Sequence, residues 1–477
     1  MQLVYRFAIL SCSRRCPLFT TSNHLRVKSN FSTSSSKVSH CLDEDCDDFL
    51  PWLRKKAGVE ISTALSVGKS AHGRLLFACK PIQAGDCIFK VPYNVQIAPD
   101  HVLPEINSLF GDEIGNVAKL AVVILTEQKR GQDSEWAPYV SRLPQIEEMH
   151  SSIFWSEDEL EMIRQSSLYQ ETIKQRAQIV KEFSTIKPAV DQFPEILGDV
   201  TLKDFMHAYA LVQSRAWGSS KGLSLIPFAD FLNHDGVSEA VVLSDEDKQL
   251  SEVIADRNYC HGEQVFIRYG KFPNATLLLD FGFTLPYNIY DQVQIQVDIP
   301  HDDLLRAMKL ELLRGHHTPA IKDVNSFNSS GDSFTIKEVR STKGRGRGIP
   351  QSLRAFVRVL CSTCPQELGD FATEAAQNDG RLARRPLMNK SREIQAHWTL
   401  LSKISQLIEE YNTSIESLGS LCALSTTSKF VVRKRMALDL LTGELRVMKS
   451  AVAWLKNYCA TLQQTASIDH IDYQKIL

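Results

Sequence analysis

Three polar side chains follow one another at short spacing in an otherwise apolar segment. Asp230, Asn233 and His234 stand in the run FADFLNH, residues 228–234. A buried polar group without a partner costs on the order of 1–3 kcal/mol, so these side chains need partners. Nearby backbone in a polar turn, a metal ion or a polar small molecule would each serve. Because no other His or Cys lies close by with metal-ligand spacing, a metal is disfavoured, and the flanking segments must decide between the other two.

The residues before this segment predict a helix and a strand that would position it. Thr201 with Asp204 makes a capping-box start to an amphipathic helix. The pattern breaks at the Gly-Ser segment 218–222 and resumes as a short apolar strand at 223–226. Pro227 ends that strand, because proline cannot donate to a sheet ladder.

Four short motifs occur in a fixed order along the chain. An arginine at 215 precedes the strand, a D-x-x-N-H turn occupies 230–234, the segment GEQVFIRY occupies 262–269, and a Gly-Phe pair stands at 282–283. Together they resemble the SET-domain protein methyltransferases, in the branch typified by the plant Rubisco large-subunit lysine methyltransferase. The matching order and spacing of four motifs are more specific than any one motif. The resemblance extends in outline from about residue 50 to the C-terminus.

The resemblance implies an α+β fold with two domains. A SET domain of small, pseudoknotted β-sheets is expected over residues 41–300, interrupted by a helical insert at about 99–213. An all-α domain that holds the protein substrate is expected over residues 301–477. The apolar periodicity agrees with helices in the insert and again beyond residue 350. A length of 477 residues also favours two domains over one core.

Alternating apolar residues predict several strands in the SET region. Residues 72–78 and 88–92 flank a Gly-Asp turn and are predicted to pair as a hairpin. Residues 240–243 and 252–255 are predicted to form a second hairpin around a polar turn. Residues 264–269 are predicted to form a further strand.

The resemblance also implies roles for single residues. Tyr269 matches the catalytic tyrosine, whose hydroxyl would act by electrostatic positioning and not as a strong base. Phe281 takes the place of a tyrosine that commonly lines the lysine channel, and Leu75 replaces the second glycine of a G-x-G loop, where its side chain is expected to crowd the pocket. The positions that match the binding site for S-adenosylmethionine are His72, Gly73, Arg74, Arg215, Asp230, Asn233, His234, Tyr269 and Phe283.

The implied activity is the transfer of a methyl group from S-adenosylmethionine to a lysine of a protein. Methylation of histidine stays an alternative, because Phe281 lacks the channel hydroxyl and the architecture includes an enzyme that acts on histidine. A SET-derived binding scaffold with weak or no activity is a second alternative. The departures at Leu75 and Phe281 favour the scaffold, whereas the intact Asn233, His234 and Tyr269 favour an enzyme.

The first forty residues differ in composition from the rest of the chain. They carry six Lys or Arg, no Asp or Glu and many Ser, which is typical of an organellar transit peptide. The Arg spacing favours a mitochondrion and the resemblance a chloroplast; a disordered tail on a cytoplasmic protein is the alternative. Removing these six charges from the total of −2 leaves −8, which argues against nucleic acid as a partner. No apolar run approaches the ~20 residues of a membrane span, so no membrane partner is expected.

The cysteines and one Gly-Arg segment are two further features of the sequence. Eleven Cys are scattered, and Cys361-x-x-Cys364 has no second pair at zinc-site distance, so reduced thiols and no metal are predicted. Many SET enzymes that act on histones carry Cys-rich zinc clusters, so a non-histone protein substrate is expected. Residues 323–350 are predicted to form a linker or a long exposed loop, whose Gly-Arg run at 343–348 either is solvated or binds an anion.

Overall fold

The computed structural model describes residues 41–42, 46, 48–70, 73–219, 222–316, 333–383, 385–420 and 428–476. The chain divides into two compact units, Met1–Glu148 with Gln178–Gly270 and Met149–Ala177 with Lys271–Leu477. This division differs from the expected domain limit at residue 300, because residues 149–177 and 271–300 group with the C-terminal helices. The predicted transit peptide lies outside the described residues.

The described part of the first unit contains four small sheets. The first sheet is antiparallel and contains, in order, β1 (Cys41–Leu42), β2 (Leu65–Ser70) and β3 (Gly73–Ala78). The second sheet is also antiparallel and contains, in order, β4 (Cys87–Pro92), β9 (Leu250–Ile254) and β8 (Val242–Asp245). The two-stranded sheets are antiparallel β5 (Ala216–Ser219) with β6 (Gly222–Leu225) and parallel β7 (Asn233–His234) with β10 (Phe266–Ile267). Small sheets joined by helices confirm the predicted α+β fold.

The predicted hairpins have opposite outcomes. The second is confirmed, because β8 pairs antiparallel with β9. The first is wrong: β3 pairs with β2, and β4 pairs with β9. The Gly-Asp turn is hydrogen-bonded to Ala255, the residue that follows β9. Gly85 N–H donates to the Ala255 carbonyl and Ala255 N–H donates to the Asp86 carbonyl, both at 2.9 Å. β2 was missed because its sequence, LSVGKS, has little apolar alternation.

Helices fill the predicted insert. They are α2 (Pro104–Asn107), α3 (Asn116–Arg130), α4 (Ala137–Val140), α5 (Glu157–Glu161), α6 (Ser167–Val190), α7 (Pro194–Leu197) and α8 (Leu202–Arg215), preceded in the chain by α1 (Phe49–Ala57). The predicted capping box at the start of α8 is confirmed, because Thr201 Oγ1 accepts from Asp204 N–H at 3.2 Å and Asp204 Oδ2 from Thr201 N–H at 3.0 Å. α8 packs against α3 and ends at Arg215, which places this side chain at the edge of the following hairpin.

The second unit is mainly helical. Its helices beyond residue 270 are α9 (Asn274–Thr276), continued by a π-turn (Leu277–Phe281), then α10 (Arg306–Gly315), α11 (Gln351–Leu360), α12 (Pro365–Gln377), α13 (Lys390–Ser420) and α14 (Ser428–Ile476). The helices predicted beyond residue 350 are confirmed. The predicted linker at 323–350 is wrong over Ser333–Lys337, which forms strand β12 and pairs with β11 (Gln292–Gln296). None of the helices in the described residues is long and apolar enough to cross a bilayer.

Candidate active site

Tyr269 follows strand β10 and is held at both ends. Its hydroxyl donates to the Leu232 carbonyl at 2.6 Å, and its backbone N–H donates to His234 Nδ1 at 3.1 Å. Burial raises the pKa of Tyr269 above its ordinary value of 10.0, so the phenol is neutral. Because the hydroxyl proton is directed to Leu232, the oxygen lone pairs face away from that carbonyl and can act as acceptors.

His234 on β7 orients Tyr269 and stays neutral. Its ring is 5.2 Å from the Tyr269 ring, and the residue is 8% exposed. Since Nδ1 accepts from a backbone N–H, the proton of the neutral imidazole sits on Nε2. Burial lowers the pKa of His234 to about 4, so the ring carries no charge at neutral pH. The parallel pairing of β7 with β10, with Phe266 opposite Asn233 and Ile267 opposite His234, brings the two motifs together.

Trp217 on β5 supplies an aromatic wall. Its ring lies edge-on to Tyr269, with centroids 5.6 Å apart and planes at 83°. The indole Nε1 is buried and has no hydrogen-bond partner among the described residues. Sequence analysis did not select this residue, and the nearest signal in the chain is Arg215, two residues before it.

Asp230 is the charged centre of the site. Its side chain is wholly buried; Oδ2 accepts from the Tyr139 hydroxyl at 3.0 Å and lies 3.6 Å from Arg215 Nε. Oδ1 has no hydrogen-bond partner in the described part of the chain. Burial raises the pKa of Asp230 to about 6, while Arg215, Tyr139 and Arg74 act to lower it. The carboxyl is therefore mainly ionised at pH 7 and partly protonated near pH 6.

A strained turn directs Asp230 inward. Phe228, directly after Pro227, has φ 78° and ψ −43°, a conformation that costs a side-chain-bearing residue on the order of 1–3 kcal/mol. Its ring is fully buried and packs edge-on against Phe89 at 5.6 Å. The core packing of this ring holds the strained turn in place. Such strain is concentrated at functional sites in proteins.

Strand β3 brings a second cation to the site. The Arg74 guanidinium donates to the Arg142 carbonyl at 2.6 Å and lies 6.0 Å from the centre of the Phe231 ring. The Asn233 amide donates to the Arg74 carbonyl at 3.4 Å, which ties β3 to β7. Gly73 opens β3 with φ +102°, a conformation that favours glycine. His72 lies outside the described residues.

Leu75 is accommodated within its sheet. It stands opposite Gly68 of β2, and a Cβ built on Gly68 would lie 3.2 Å from Leu75 Cδ1. Leu75 is 1% exposed. Leu75 therefore packs inside the sheet beside Gly68, and the expectation that it crowds the cofactor pocket stays a prediction.

The remaining two predicted residues lie in the second unit. Phe281 ends the π-turn, and its ring is 5.7 Å from Phe272 and 6.3 Å from Phe283. These three rings form one aromatic cluster. By contrast, Arg74, Arg215, Asp230, Asn233, His234 and Tyr269 are joined by contacts within the first unit.

Tyr139, on α4 of the insert, was also missed by sequence analysis. It is fully buried, and burial raises the pKa of its hydroxyl well above the ordinary value of 10.0. It therefore donates a stable proton to Asp230. The pattern around it, WAPYV, carries no signal of such a contact 91 residues away.

Comparison with known proteins gives two family matches. The model of the SET domain matches residues 73–270, and the model described as Rubisco LSMT substrate-binding matches residues 300–448. Together they reproduce the predicted order of a SET domain followed by a substrate-binding domain. The predicted family is thereby confirmed.

Similar curated proteins act on different acceptors. The chloroplastic ribulose-1,5 bisphosphate carboxylase/oxygenase large subunit N-methyltransferase of Nicotiana tabacum is 27% identical, covering 73% of this chain and 72% of that protein. The actin-histidine N-methyltransferase of Homo sapiens is 28% identical over 87% of this chain and 70% of that protein. The chloroplastic fructose-bisphosphate aldolase-lysine N-methyltransferase of Arabidopsis thaliana is 25% identical over 89% of this chain and 86% of that protein.

Solved structures share the fold. Rubisco LSMT bound to AdoMet aligns with a TM-score of 0.67 and 23% identity, covering 89% of this chain and 94% of that one. Rubisco LSMT bound to sinefungin and monomethyllysine aligns with a TM-score of 0.68 over the same shares. The chain belongs to the SET-domain, S-adenosylmethionine-dependent protein methyltransferases, in the branch that carries a Rubisco LSMT substrate-binding domain.

Proposed function

We propose that this protein methylates a lysine side chain of a non-histone protein and that Tyr269 is its catalytic residue. The observation that carries the proposal is the Tyr269 hydroxyl, which is neutral, directs its proton to the Leu232 carbonyl and lies against Trp217 and His234. One similar protein methylates a lysine of fructose-bisphosphate aldolase, and another methylates the Rubisco large subunit. Both substrates are non-histone proteins, which supports the proposed class of substrate.

The residues of the first unit fit S-adenosylmethionine. Arg74 and Arg215 both act on the single carboxylate of Asp230, so the site has an excess of positive charge for the carboxylate of the cofactor. The Arg215 side chain is 24% exposed and thus accessible. The Asn233 amide can donate and accept, and the buried Trp217 Nε1 still has a proton to donate.

Each binding residue has a proposed part. Arg215 pairs with the cofactor carboxylate, Asn233 and His234 hold its amino-acid and adenine parts, and Gly73 with Arg74 offers backbone groups close to it. The same resemblance gives His72 a place beside Gly73, Phe283 a place near the adenine and Phe281 a place in the substrate channel. Asp230 acts through Arg215 as a positioning residue, because its own side chain is wholly buried.

The chain itself prepares the acceptor nitrogen. S-adenosylmethionine, when bound, supplies a methyl group on a positively charged sulfur. A lysine can accept it only after losing its proton, and the low-dielectric surroundings of Trp217 and Tyr269 lower the pKa of an ammonium placed there. The lone pairs of the Tyr269 oxygen stabilise positive charge where the nitrogen meets the methyl, and its fixed position lowers the entropic cost of alignment.

Histidine is a second candidate acceptor. The similarity to the actin-histidine N-methyltransferase of Homo sapiens covers 87% of this chain. The similarity to the tobacco Rubisco large subunit N-methyltransferase covers 73% of this chain. A histidine is neutral at pH 7 without desolvation, because its ordinary pKa is about 6.5. A lysine acceptor must therefore lose a proton in the site before methyl transfer, whereas a histidine acceptor is already mostly neutral.

Identification of the labelled amino acid tests the proposal. The purified protein would be incubated with tritiated S-adenosylmethionine and an extract of cells that lack this protein. The labelled proteins would then be hydrolysed to amino acids. We expect the label in methyllysine. Label in methylhistidine would overturn the lysine assignment. If the protein binds the cofactor but labels nothing in chloroplast, mitochondrial or cytosolic extracts, the scaffold alternative would be favoured.

Residues 1–40 are proposed to direct the protein to a chloroplast or mitochondrion. Their six cations without an acidic residue support this, as do the chloroplastic relatives. A fusion of this segment to a fluorescent protein is expected to enter one of these organelles, and a chain starting at residue 41 to keep its melting temperature. Cytosolic fluorescence of the fusion would contradict the proposal.

A further inference from the structure

Four exposed cations cluster in the loop between β12 and α11. Arg340, Lys343, Arg345 and Arg347 are exposed, and none forms a salt bridge within the described residues. No Asp or Glu occurs between Glu338 and Glu367 to neutralise them in sequence. Residues 340–347 are called the basic loop below. The positive charge of the basic loop stands out in a chain whose residues 41–477 total −8, the overall −2 less the six charges of the first forty residues.

Helix α14 fixes the backbone of the basic loop. The Trp454 indole N–H donates to the Gly344 carbonyl at 3.2 Å, and the Asn457 amide donates to the Thr342 carbonyl at 2.9 Å. Just before the loop, the backbone N–H of Val339 donates to Ser450 Oγ at 2.9 Å. Three contacts from one helix hold the loop in a defined conformation while its cationic side chains remain in solvent.

The glycines between the cations are required by this conformation. A Cβ on Gly346 would lie 2.5 Å from the Trp454 ring, and one on Gly348 would lie 2.5 Å from the Lys337 carbonyl. Gly344 adopts φ +84°. The alternation of glycine with Lys or Arg therefore belongs to an ordered loop, which agrees with the predicted alternative of a long exposed loop and not with a linker.

We infer that the basic loop binds an acidic segment of the protein substrate. The inference rests on the proposed function, and the basic loop lies within the residues matched by the substrate-binding family model. A pre-ordered loop loses little conformational freedom on binding, and unpaired cations attract an acidic partner and speed its association. The basic loop would bind the substrate through residues that are distant in the chain from those that transfer the methyl group.

Other anionic partners fit the basic loop less well. Affinity for nucleic acid depends largely on the number of phosphates that a protein neutralises, and four cations can neutralise only about four of them. The negative total charge also opposes such a partner. Stable membrane attachment needs an apolar anchor besides a basic patch, and the segment RSTKGRGRG contains no large apolar residue to insert.

Binding of an acidic probe peptide tests the inference. A fluorescein-labelled peptide of ten glutamates would be titrated against the full chain, with anisotropy as the readout. The loop variant combines Lys343→Gln, Arg345→Gln and Arg347→Gln. The matched control combines Arg314→Gln, Arg381→Gln and Arg385→Gln, which are exposed cations of the same unit without a salt bridge in the described residues. We expect about a tenfold rise in Kd for the loop variant and less than a twofold rise for the control.

Three results would overturn the inference. They are no binding of the peptide to the parent chain, equal Kd values for the parent and the loop variant, and tighter loop-dependent binding of a single-stranded decanucleotide or of phosphatidylserine vesicles. Calorimetry with S-adenosylmethionine is run on the same samples. The loop variant should keep its cofactor affinity, so a failure of the docking inference is distinguished from a failure of the proposed methyl transfer.

Discussion

Asp230 in the first unit and Glu444 in the second unit are both buried beside a tyrosine hydroxyl, but the two carboxyls differ in charge. In the first unit, Asp230 accepts from Tyr139 and lies near Arg215. In the second unit, Glu444 contacts Tyr411 and Ser166, each at 2.8 Å. Burial raises the pKa of Glu444 to about 8, and no cation among the described residues lowers it. Burial raises the pKa of Asp230 only to about 6, because Arg215 lowers it.

The hydrogen bonds around Glu444 are consistent with a protonated carboxyl. The Tyr411 hydroxyl lies 3.0 Å from the Gln165 carbonyl and 2.8 Å from Glu444 Oε2, and it has only one proton to donate. A protonated Glu444 supplies the second proton, so every group is satisfied without a charge. Asp230 instead keeps its charge and leaves Oδ1 without a partner in the described residues. The charge and the unsatisfied oxygen of Asp230 are consistent with a binding role, and the neutral, satisfied carboxyl of Glu444 is consistent with a structural role.

Removal of a tyrosine hydroxyl in each unit gives the largest expected contrast. Tyr269→Phe should lower the rate of methyl transfer by about 10²-fold or more, comparable to losing one well-placed donor, with near-normal cofactor affinity. Single-turnover transfer of a tritiated methyl group measures this rate. The variant should also lose roughly 1–3 kcal/mol of stability, because the Leu232 carbonyl loses its donor.

Tyr411→Phe is the matched control for that experiment. It removes a buried hydroxyl from the second unit and should reduce the free energy of unfolding without slowing methyl transfer in the folded fraction. Equal transfer rates for the parent and Tyr269→Phe would show that the Tyr269 hydroxyl is not catalytic.

Glu444→Gln should change how stability depends on pH. The folded pKa of Glu444, about 8, exceeds its ordinary value of 4.5, so its stabilising contribution is complete below pH 4.5 and is lost as pH rises to 8. Glutamine cannot ionise, so the variant should gain roughly 2–5 kcal/mol relative to the parent at pH 8 and little near pH 4.5. Urea unfolding at both pH values measures the difference. The same difference at both pH values would contradict a neutral Glu444.

Unlike Glu444→Gln, Asp230→Asn should change mainly cofactor affinity and not stability, and its effect should be smaller. The amide keeps an acceptor for Tyr139 but removes the charge that holds Arg215, so cofactor affinity should fall about 5- to 10-fold, a loss of roughly 1 kcal/mol. Stability at pH 7 should fall little or rise, since ionising a buried carboxyl is itself unfavourable. Titration calorimetry and urea unfolding measure the two effects. A large loss of stability with intact cofactor binding would mean that Asp230 serves the fold.

Sequence patterns predicted the parts of the site that are local in the chain. The capping box before α8, the break at Pro227 and the four motifs were readable because each depends on neighbouring residues. Tyr139 and Trp217 were missed because their contacts depend on tertiary packing, 91 residues from Asp230 in one case and 52 from Tyr269 in the other. The order of the basic loop was missed because its anchor, Trp454, lies more than a hundred residues further along the chain.

Binding of S-adenosylmethionine to Asn233→Ala tests most directly the claim that the first unit holds the cofactor. Titration calorimetry should show a loss of roughly 1–3 kcal/mol, a rise in Kd of about 5- to 150-fold, because an amide that pairs with the cofactor is removed. Glu444→Gln, titrated in parallel, should bind as the parent does, and thermal melting without ligand confirms that both variants fold. An unchanged Kd in folded Asn233→Ala would contradict the account.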